Sequence, residues 1–322
     1  MDILISEDLD APAIQELSKQ FKVVHDVALW KDGAALKEKI SAASAIMVRN
    51  QTQLTADVLA AAGKLVAIGR VGVGLDNIDV SAATRLGIVV IAPLNANAVS
   101  VAELSIGLML ALARKIPQAN RTTKAGAWDR KGCTGIELDD KTLAICGFGR
   151  IGRLVALRAR AFGMSVLTFD PFVQADSPAL AETGCELCDK LDDALAAADF
   201  ISVHLPLTDQ TRHMFNTRTI AAIKRGAYFI NTSRGGVVDE RTLLLALQSG
   251  HLAGAALDVR EIEPPQTRGA LEHLDNVILT PHIGSFTTEA QTRTFEAVCD
   301  DLRRVLRGEA AENFVNVARP KR

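Results

Sequence analysis

The sequence predicts an α/β protein built from two doubly wound parallel-sheet domains joined by two long helices. Short runs of β-branched and apolar residues alternate with helical patterns along the whole chain, as in parallel sheets covered by helices on both faces. A glycine-rich turn stands near the middle of the 322 residues, so we expect another domain to precede it. Two long helical patterns, at about 98–117 and 286–307, frame the second block.

The first block, residues 1–97, is predicted to be an α/β unit without a glycine fingerprint. Its apolar runs are short enough for buried parallel strands, and polar helical patterns separate them. Asp10-Ala11-Pro12 is a plausible helix start, because proline is tolerated in the first turn. The predicted strands are 3–5, 23–24, 45–48, 65–68 and 89–91.

The second block, residues 98–284, opens with the first long helical pattern, which is expected to end before Pro117. After a polar stretch, strands and helices alternate again, which predicts a second parallel sheet. The predicted strands are 142–146, 166–169, 200–204, 227–231, 254–257 and 277–280.

The glycine turn Gly147-Phe148-Gly149-Arg150-Ile151-Gly152 lies between a predicted strand and a predicted helix. That context is typical of a Rossmann dinucleotide-binding fingerprint. Gly147 permits the tight turn, Gly149 lets the backbone approach a pyrophosphate, and Gly152 lets the helix lie close to the strand. The helix N-terminus, at Arg150 and Ile151, then offers free N–H groups to the phosphates.

Asp170 ends the next predicted strand, Val166–Phe169. A carboxylate in this position accepts hydrogen bonds from a ribose 2′-hydroxyl and repels a 2′-phosphate. The sequence therefore predicts NAD as the cofactor in preference to NADP.

Composition narrows the class of protein. The formal net charge of −2 gives no electrostatic footprint for nucleic acid or for an acidic membrane. Met1-Asp2-Ile3 lacks the positive start of a signal peptide, and the apolar stretch 104–113 is too short to span a bilayer. Five cysteines in no framework spacing, with a single CxxC at 185–188, favour free thiols over disulfides or a metal site. We expect a cytoplasmic protein.

Polar residues follow three predicted strands of the second block, where open α/β sheets bind ligands. Arg234, beside two glycines, can hold a carboxylate with its planar fork and polarise a carbonyl. His282 is a proton donor and acceptor near neutral pH, and Glu263 is a possible carboxylate partner for it. The spacing alone does not show that Glu263 and His282 touch, and a lone loop arginine is more often a surface residue.

Taken together, the ordered motifs resemble the D-specific 2-hydroxyacid dehydrogenase family over nearly the whole chain. In that family the second long helix returns to the first domain, so residues 285–322 are expected to complete a discontinuous, flavodoxin-like substrate domain. The motifs that carry the resemblance are Arg70–Asp79, Val101–Glu103, Gly147–Gly152, His204–Thr208, Asn231–Glu240, Ala255–Val259, Glu263–Pro265 and Thr280–His282.

The resemblance implies an NAD-dependent oxidoreductase and three catalytic residues. Arg234 would bind the substrate's carboxylate and carbonyl oxygen. His282 would protonate that oxygen during reduction and remove the hydroxyl proton during oxidation, with Glu263 favouring the charged imidazolium. Hydride would pass directly between substrate C2 and nicotinamide C4, positioned by the protein.

Further binding residues follow from the same resemblance. The cofactor would contact Asp258 on its nicotinamide side and would be lined by Leu205, Pro206, Thr232 and Gly284. The backbone of Gly72, Val73 and Gly74 would receive the substrate carboxylate.

Within the family the chain is most similar to the phosphoglycerate dehydrogenases, as Val48–Asn50, Arg70, Asp170-Pro171 and Gly284–Ala290 indicate. Arg49 and Arg70 stand at strand ends and would bind a second anionic group such as a phosphate or sulfonate. The favoured substrate is 3-phosphoglycerate. The alternatives are a glyoxylate/hydroxypyruvate reductase, a dehydrogenase of another dianionic hydroxyacid such as sulfolactate, and an NAD-sensing, corepressor-like binding protein without turnover.

Two departures from the family pattern bear on substrate and regulation. Arg260 stands where the family more often has an aromatic residue, and we expect it near the mouth of the site, where it would alter substrate preference. The sequence shows no additional C-terminal regulatory domain, so serine feedback is not expected. A homodimer is implied by the family, with 104–113 and 118–140 as the candidate interface.

Overall fold

The computed structural model describes residues 1–321. The chain divides into two compact units, one formed by Met1–Asn97 with the described residues from Ser285 onward and the other by Ala98–Gly284. Each unit is a parallel β-sheet covered by helices, so the predicted fold class is confirmed.

The first unit contains a five-stranded parallel sheet in the order β2-β1-β3-β4-β5. This is the flavodoxin-like order, in which the chain reverses direction across the sheet between β1 and β3. Its strands are β1 Ile3–Ile5, β2 Val23–His25, β3 Ala45–Val48, β4 Ala67–Arg70 and β5 Val89–Ile91. The predicted strand 65–68 lies two residues further along, so Arg70 is itself the last strand residue.

Helices cover both faces of this sheet. The described helices of the first unit are α1 Pro12–Ser18, α2 Gly33–Ser41, α3 Ala56–Ala61, α4 Val80–Arg85 and α12 Thr288–Leu306. The last of these packs so closely on β4 that a Cβ at Gly69 would lie 2.8 Å from Val298 and 2.9 Å from Leu302. The polypeptide from 285 onward therefore completes the core that residues 1–97 begin.

The second unit contains a seven-stranded parallel sheet in the order β12-β11-β10-β9-β6-β7-β8. Strand order reverses between β6 and β9, which creates the crevice where doubly wound sheets bind dinucleotides. Its strands are β6 Thr142–Cys146, β7 Ser165–Phe169, β8 Glu186–Leu187, β9 Phe200–Val203, β10 Ala227–Asn231, β11 Leu252–Leu257 and β12 Val277–Leu279. The two-residue β8 is too short for a sequence pattern and was not predicted.

Helices flank this sheet as well, with apolar clusters on both of its faces. The described helices of the second unit are α5 Ala98–Ala113, α6 Ile116–Lys124, α7 Arg150–Ala161, α8 Pro178–Thr183, α9 Leu191–Ala197, α10 Thr217–Ala222 and α11 Glu240–Gln248.

The prediction of one helix over 98–117 is wrong at its end. Helix α5 stops at Ala113, Lys115 adopts a left-handed conformation with φ of 50°, and α6 starts at Ile116. Pro117 lies in the first turn of α6, where its missing N–H has no helical partner to lose. The proline therefore begins a second helix.

None of the described helices is both long enough and apolar enough to cross a membrane.

Candidate active site

The glycine turn after β6 requires glycine at two positions. Gly147 has a φ of 97°, and a Cβ there would lie 2.5 Å from the carbonyl oxygen of His204. At Gly152 a Cβ would lie 2.2 Å from the carbonyl oxygen of Gly147. These two glycines let α7 start directly above the end of β6.

The start of α7 fits a phosphate group. Gly149 is the N-cap residue, and a Cβ built on it meets open space. Within residues 1–321 no side chain caps the N-terminus of α7. The first N–H groups of the helix, at Arg150 and Ile151, can therefore donate to a pyrophosphate, and the helix dipole favours its negative charge.

Asp170 faces the same turn from the end of β7. Its Oδ2 accepts a hydrogen bond from the Phe148 N–H at 2.8 Å, and its Oδ1 accepts one from the Phe172 N–H at 2.9 Å. Each oxygen keeps a further lone pair for a ribose hydroxyl. The turn and the carboxylate together have the donors and acceptors that a dinucleotide needs.

The segment after β9 lines the other side of the turn. Leu205 is buried, with Cδ2 at 3.1 Å from the position of a Cβ on Gly147, and Pro206 is exposed. His204 Nε2 and the Ser202 hydroxyl form a hydrogen bond of 2.8 Å. Burial lowers the pKa of the His204 imidazole to about 3. His204 is therefore a neutral part of the wall at physiological pH.

Thr232 lies at the end of β10, but its hydroxyl is used inside the unit. Its Oγ1 is 2.8 Å from the Oγ of Ser105 on α5, and both groups are buried. The Ser105 hydroxyl in turn donates to the Val101 carbonyl at 2.8 Å. The structure thus gives the Thr232 hydroxyl an anchoring contact with α5, in addition to the lining role predicted from the sequence.

Asp258, the residue after β11, organises the loop that carries His282. Its side chain is 1% exposed. Oδ1 accepts from the Thr280 hydroxyl at 2.5 Å and from the Ile283 N–H at 2.8 Å, and Oδ2 accepts from the Gly284 N–H at 2.8 Å. Its carbonyl oxygen also accepts from the His282 N–H at 2.8 Å. One residue therefore fixes the path of the chain from 280 to 284.

The structure brings Glu263 and His282 together. Glu263 Oε2 lies 2.6 Å from His282 Nδ1, and the two side chains are 35% and 46% exposed. His282 has a φ of 55°, an uncommon conformation for a residue other than glycine, and the contacts of Asp258 hold it there. The ring can therefore present Nε2 to a ligand while Nδ1 faces the carboxylate.

The pKa of Glu263 is lowered from its ordinary value. Burial alone raises it, but hydrogen bonds from His282 and from the Arg260 N–H, with the positive charges of His282 and Arg234, outweigh that effect. The carboxylate is thus ionised across the neutral range.

Arg234 stands on a turn tied together by a buried amide. Asn231 Nδ2 donates to the Arg234 carbonyl at 2.9 Å, and Asn231 Oδ1 accepts from the N–H and the hydroxyl of Ser233. The guanidinium donates from Nη1 to the Ser233 carbonyl at 2.7 Å. Its charge is felt by Glu263, which places Arg234 and the Glu263–His282 pair in one electrostatic environment.

The side chain of Arg260 is more enclosed than the sequence indicates. It is only 15% exposed and is held between two carboxylates. An effect of Arg260 on substrate preference stays a prediction. Nε and Nη2 donate to the two oxygens of Glu240, each at 3.0 Å, and Nη1 donates to Glu272 at 2.6 Å.

In the first unit, a buried carboxylate shapes the loop that carries Arg49. Glu7 follows β1 and is 2% exposed. Its two oxygens accept hydrogen bonds from four successive backbone N–H groups, those of residues 49–52, at 2.8 to 3.2 Å. Asn77 Nδ2 adds bonds to the carbonyl oxygens of Arg49 and Thr52. The loops after β3 and β4 are thereby fixed against each other.

Arg49 and Arg70 are less open than strand-end arginines would be. The Arg49 guanidinium lies 4.2 Å from the ring centre of Phe286 and donates to Gln291 at 3.0 Å, and burial lowers its pKa. Arg70 is 9% exposed and donates from Nη1 to the Val71 carbonyl at 2.8 Å. Its side chain lies against Gly72, where a Cβ would be 1.8 Å from Nη1.

Gly72, Val73 and Gly74 form the half-buried loop that follows β4. Gly72 has a φ of 143° and donates its N–H to the Arg70 carbonyl. Arg49, Arg70 and this loop are therefore brought to the same edge of the first sheet, as the ends of β3 and β4 require.

Comparison with known proteins identifies the family. Residues 106–284 match the family model described as "D-isomer specific 2-hydroxyacid dehydrogenase, NAD binding domain". This range lies within the second unit and includes the glycine turn, Asp170, Arg234, Glu263 and His282.

The chain belongs to the D-isomer specific 2-hydroxyacid dehydrogenase family. Within its second unit, residues 106–284 match the NAD-binding domain of that family. The resemblance drawn from the sequence motifs is confirmed.

Two similar relatives are both named D-3-phosphoglycerate dehydrogenase. The chain is 47% identical over 316 residues to the D-3-phosphoglycerate dehydrogenase of Methanocaldococcus jannaschii and 42% identical over 316 residues to that of Homo sapiens. These matches cover 98% of this chain but only 59% and 58% of the two relatives. The chain therefore spans somewhat more than half the length of the curated relatives it matches.

Solved structures of the family share the fold over their full length. The D-lactate dehydrogenase of Aquifex aeolicus, complexed with NAD and lactic acid, is 32% identical, with a TM-score of 0.86 and coverage of 98% of this chain and 99% of that one. A glyoxylate reductase from Paecilomyes thermophila is 31% identical, with a TM-score of 0.87 and 98% coverage of both chains.

The sequence analysis did not identify the residues that hold the predicted site residues and their loops in place. Glu7, Asn77, Glu240 and Glu272 were not singled out, although each proves to be a partner of a predicted site residue or of its loop. Glu7 had a usable signal, because an acidic residue directly after a buried strand is either solvated or satisfied by backbone donors. Glu272 had none, since its partner lies 12 residues away across an irregular loop.

The glycine turn yields a first prediction. Gly152→Ala should lower the free energy of unfolding by about 1–3 kcal/mol, because the added methyl group meets the Gly147 carbonyl and α7 must shift. Gly149→Ala is the matched control in the same turn, since its Cβ meets open space. Denaturant unfolding followed by circular dichroism measures both. Equal stability of the two variants would contradict the close helix–strand packing.

Proposed function

We propose that this chain is an NAD-dependent dehydrogenase that interconverts a small D-2-hydroxyacid and its 2-oxoacid, with 3-phosphoglycerate as the substrate. The observation that carries the proposal is the 2.6 Å contact of Glu263 with His282, on a domain of the NAD-binding type and next to the charge of Arg234. The relatives named D-3-phosphoglycerate dehydrogenase support the substrate.

The residues that would hold NAD fit it chemically. The uncapped start of α7 would receive the pyrophosphate, and Asp170 would accept from the ribose hydroxyls. Leu205, Pro206, Thr232 and Gly284 would line the cofactor, and Asp258 would lie on its nicotinamide side. When bound, NAD supplies the group that accepts hydride from substrate C2.

In the oxidation direction, His282 would take the proton of the substrate hydroxyl at Nε2. The imidazolium that results is stabilised by the ionised Glu263 at Nδ1, so the proton transfer is favoured. Arg234 would hold the substrate carboxylate and the oxygen at C2 with its planar fork. In the reverse direction the charged imidazole would return the proton to that oxygen.

In the first unit, Arg49 and Arg70 would bind the second anionic group of the substrate. Two guanidinium groups at the ends of neighbouring strands supply the positive charge that a phosphate requires. The backbone N–H groups of Gly72, Val73 and Gly74 would receive the carboxylate. Arg49 would exchange its contact with Gln291 for the ligand.

Two alternative activities are each favoured by one observation. A glyoxylate or hydroxypyruvate reductase is favoured by the full-length likeness to a glyoxylate reductase. A dehydrogenase of another dianionic hydroxyacid, such as sulfolactate, would use the same two arginines. A corepressor-like sensor of NAD is disfavoured, because binding alone does not require the Glu263–His282 pair.

We also propose a cytoplasmic homodimer. All five cysteines are free thiols, as in proteins of reducing compartments. Trp128 is 81% exposed and Ile116 52% exposed, and both lie in or next to the candidate interface 104–113 with 118–140. Sedimentation equilibrium at micromolar concentration should give twice the chain mass, whereas a monomer would contradict the proposal.

The activity is tested with the purified chain, NAD or NADP, and a panel of D-2-hydroxyacids. We expect NADH formation with 3-phosphoglycerate to exceed that with D-lactate, glycolate and sulfolactate, and NAD to be preferred because Asp170 repels a 2′-phosphate. His282→Gln should lower kcat by about 10²- to 10⁴-fold, the usual contribution of a general acid–base group, while NAD still binds.

His273→Gln is the control, because His273 is an exposed histidine of the same unit. It should keep the activity of the original chain. Turnover of His282→Gln near that of the original chain would contradict the mechanism. A preference for another hydroxyacid would contradict 3-phosphoglycerate as the substrate. The absence of turnover with the whole panel would contradict the dehydrogenase activity and favour the NAD sensor.

A further inference from the structure

The segment that joins β11 to Glu263 is unusually well anchored. It runs from Asp258, which fixes the His282 loop, to Glu263, which contacts the His282 ring. Between them lies Arg260, whose side chain does not face the solvent.

We propose that Arg260 is a positioning residue, which sets the Glu263 carboxylate against His282 by clamping its own backbone to Glu240 and Glu272. The functional meaning of this clamp rests on the proposed role of His282 as the acid–base group.

The Arg260 side chain is anchored at three points. The Arg260 fork binds both oxygens of Glu240 at 3.0 Å each, and its remaining Nη1 binds Glu272 at 2.6 Å. The three side chains are only 15–21% exposed, so solvent screens them less than it does surface pairs. A two-point fork on one side and a third bond on the other leave the guanidinium a single orientation.

The backbone of Arg260, which this anchor holds, contacts Glu263. The Arg260 N–H donates to Glu263 Oε1 at 2.8 Å, while Oε2 of the same carboxylate contacts His282. The carboxylate is therefore held at both oxygens, one by Arg260 and one by the imidazole. Movement of the Arg260 backbone would carry Glu263 away from His282.

The backbone of residues 260–261 is also held by the turn after Arg234 and by Glu240. A Cβ at Gly235 would lie 1.9 Å from the Arg260 carbonyl carbon and oxygen, so the turn after Arg234 packs directly on Arg260. Its neighbour Glu261 adds a second tether, donating its N–H to Glu240 Oε1 at 2.6 Å. The Glu261 carboxylate also lies 2.8 Å from His213 Nε2.

Charge makes the clamp specific for a cation. Four carboxylates, those of Glu240, Glu261, Glu263 and Glu272, lie within this short segment and its partners. Without the Arg260 guanidinium, Glu240 and Glu272 lose their shared counter-charge and repel each other. The segment would then relax, and the hydrogen bond of Arg260 N–H to Glu263 would lengthen.

The test replaces the fork and keeps the apolar stem, with Arg260→Met. The groups that face Glu263 are the His282 ring, the Arg234 guanidinium and the Arg260 N–H. Loss of the Arg260 N–H bond and of the close His282 contact should raise the pKa of Glu263. The midpoint of the titration of its carboxyl ¹³C resonance, assigned with Glu263→Gln, should rise by about half a pH unit or more. In the same variant kcat should fall about tenfold, with KM for NAD unchanged.

Arg218→Met is the matched control, because Arg218 pairs with Asp192 at 2.5 Å on the exposed surface of the same unit. It should leave the Glu263 titration and kcat unchanged. Glu272→Gln removes one arm of the clamp and should give a smaller shift in the same direction, which keeps the test decisive if Arg260→Met does not fold.

A folded Arg260→Met or Glu272→Gln variant with the original Glu263 titration would overturn the proposal. The NMR titration needs no turnover, so failure of the proposed dehydrogenase activity is distinguished from failure of the clamp.

Discussion

The buried carboxylate of Asp258 is the constraint on which the second unit's site depends. It accepts three hydrogen bonds from the segment 280–284, and its own carbonyl accepts a fourth, from the backbone N–H of His282. A buried carboxylate is stable when its oxygens accept hydrogen bonds, because burying it unpaired costs several kcal/mol, roughly, in free energy. The left-handed backbone of His282, costly in isolation, is stable because these bonds leave the chain no other path.

The same edge of the sheet collects the remaining groups. Strands β6, β10, β11 and β12 are parallel, so their carboxyl ends lie side by side. Three of these ends are stabilised in different ways: by glycines at β6, by the Asn231 amide at β10 and by Asp258 at β11. The first unit uses a related solution, since Glu7 satisfies four backbone N–H groups of the loop that carries Arg49.

The sequence predicted the features that follow from local pattern. The glycine turn, the acidic residue after β7 and the polar residues after β10 and β12 were found because strands and turns have short-range signatures. The contact of Glu263 with His282 was left open by spacing and is given by the structure. The break between α5 and α6 was missed because Pro117 is compatible both with a helix end and with a helix start.

The partners of Arg260 were not predicted, for a different reason. A sequence shows an arginine where an aromatic residue is more usual, but its partners Glu240 and Glu272 are brought to it only by the tertiary fold. Thr232 and Arg70 were likewise found at predicted places with side chains partly committed to internal contacts. Side-chain partners at long sequence separation are the part that pattern reasoning does not supply.

Amide hydrogen exchange at Ile283 and Gly284 in Asp258→Asn measures whether Asp258 holds the His282 loop. The asparagine keeps the size of the side chain, but it has one acceptor oxygen where the carboxylate has two. We predict that exchange at these two amides becomes at least about tenfold faster, which corresponds to an opening favoured by about 1.4 kcal/mol or more, while exchange of the Phe229 amide in β10 is unchanged. Unchanged exchange at Ile283 and Gly284 would contradict the claim that Asp258 holds the His282 loop.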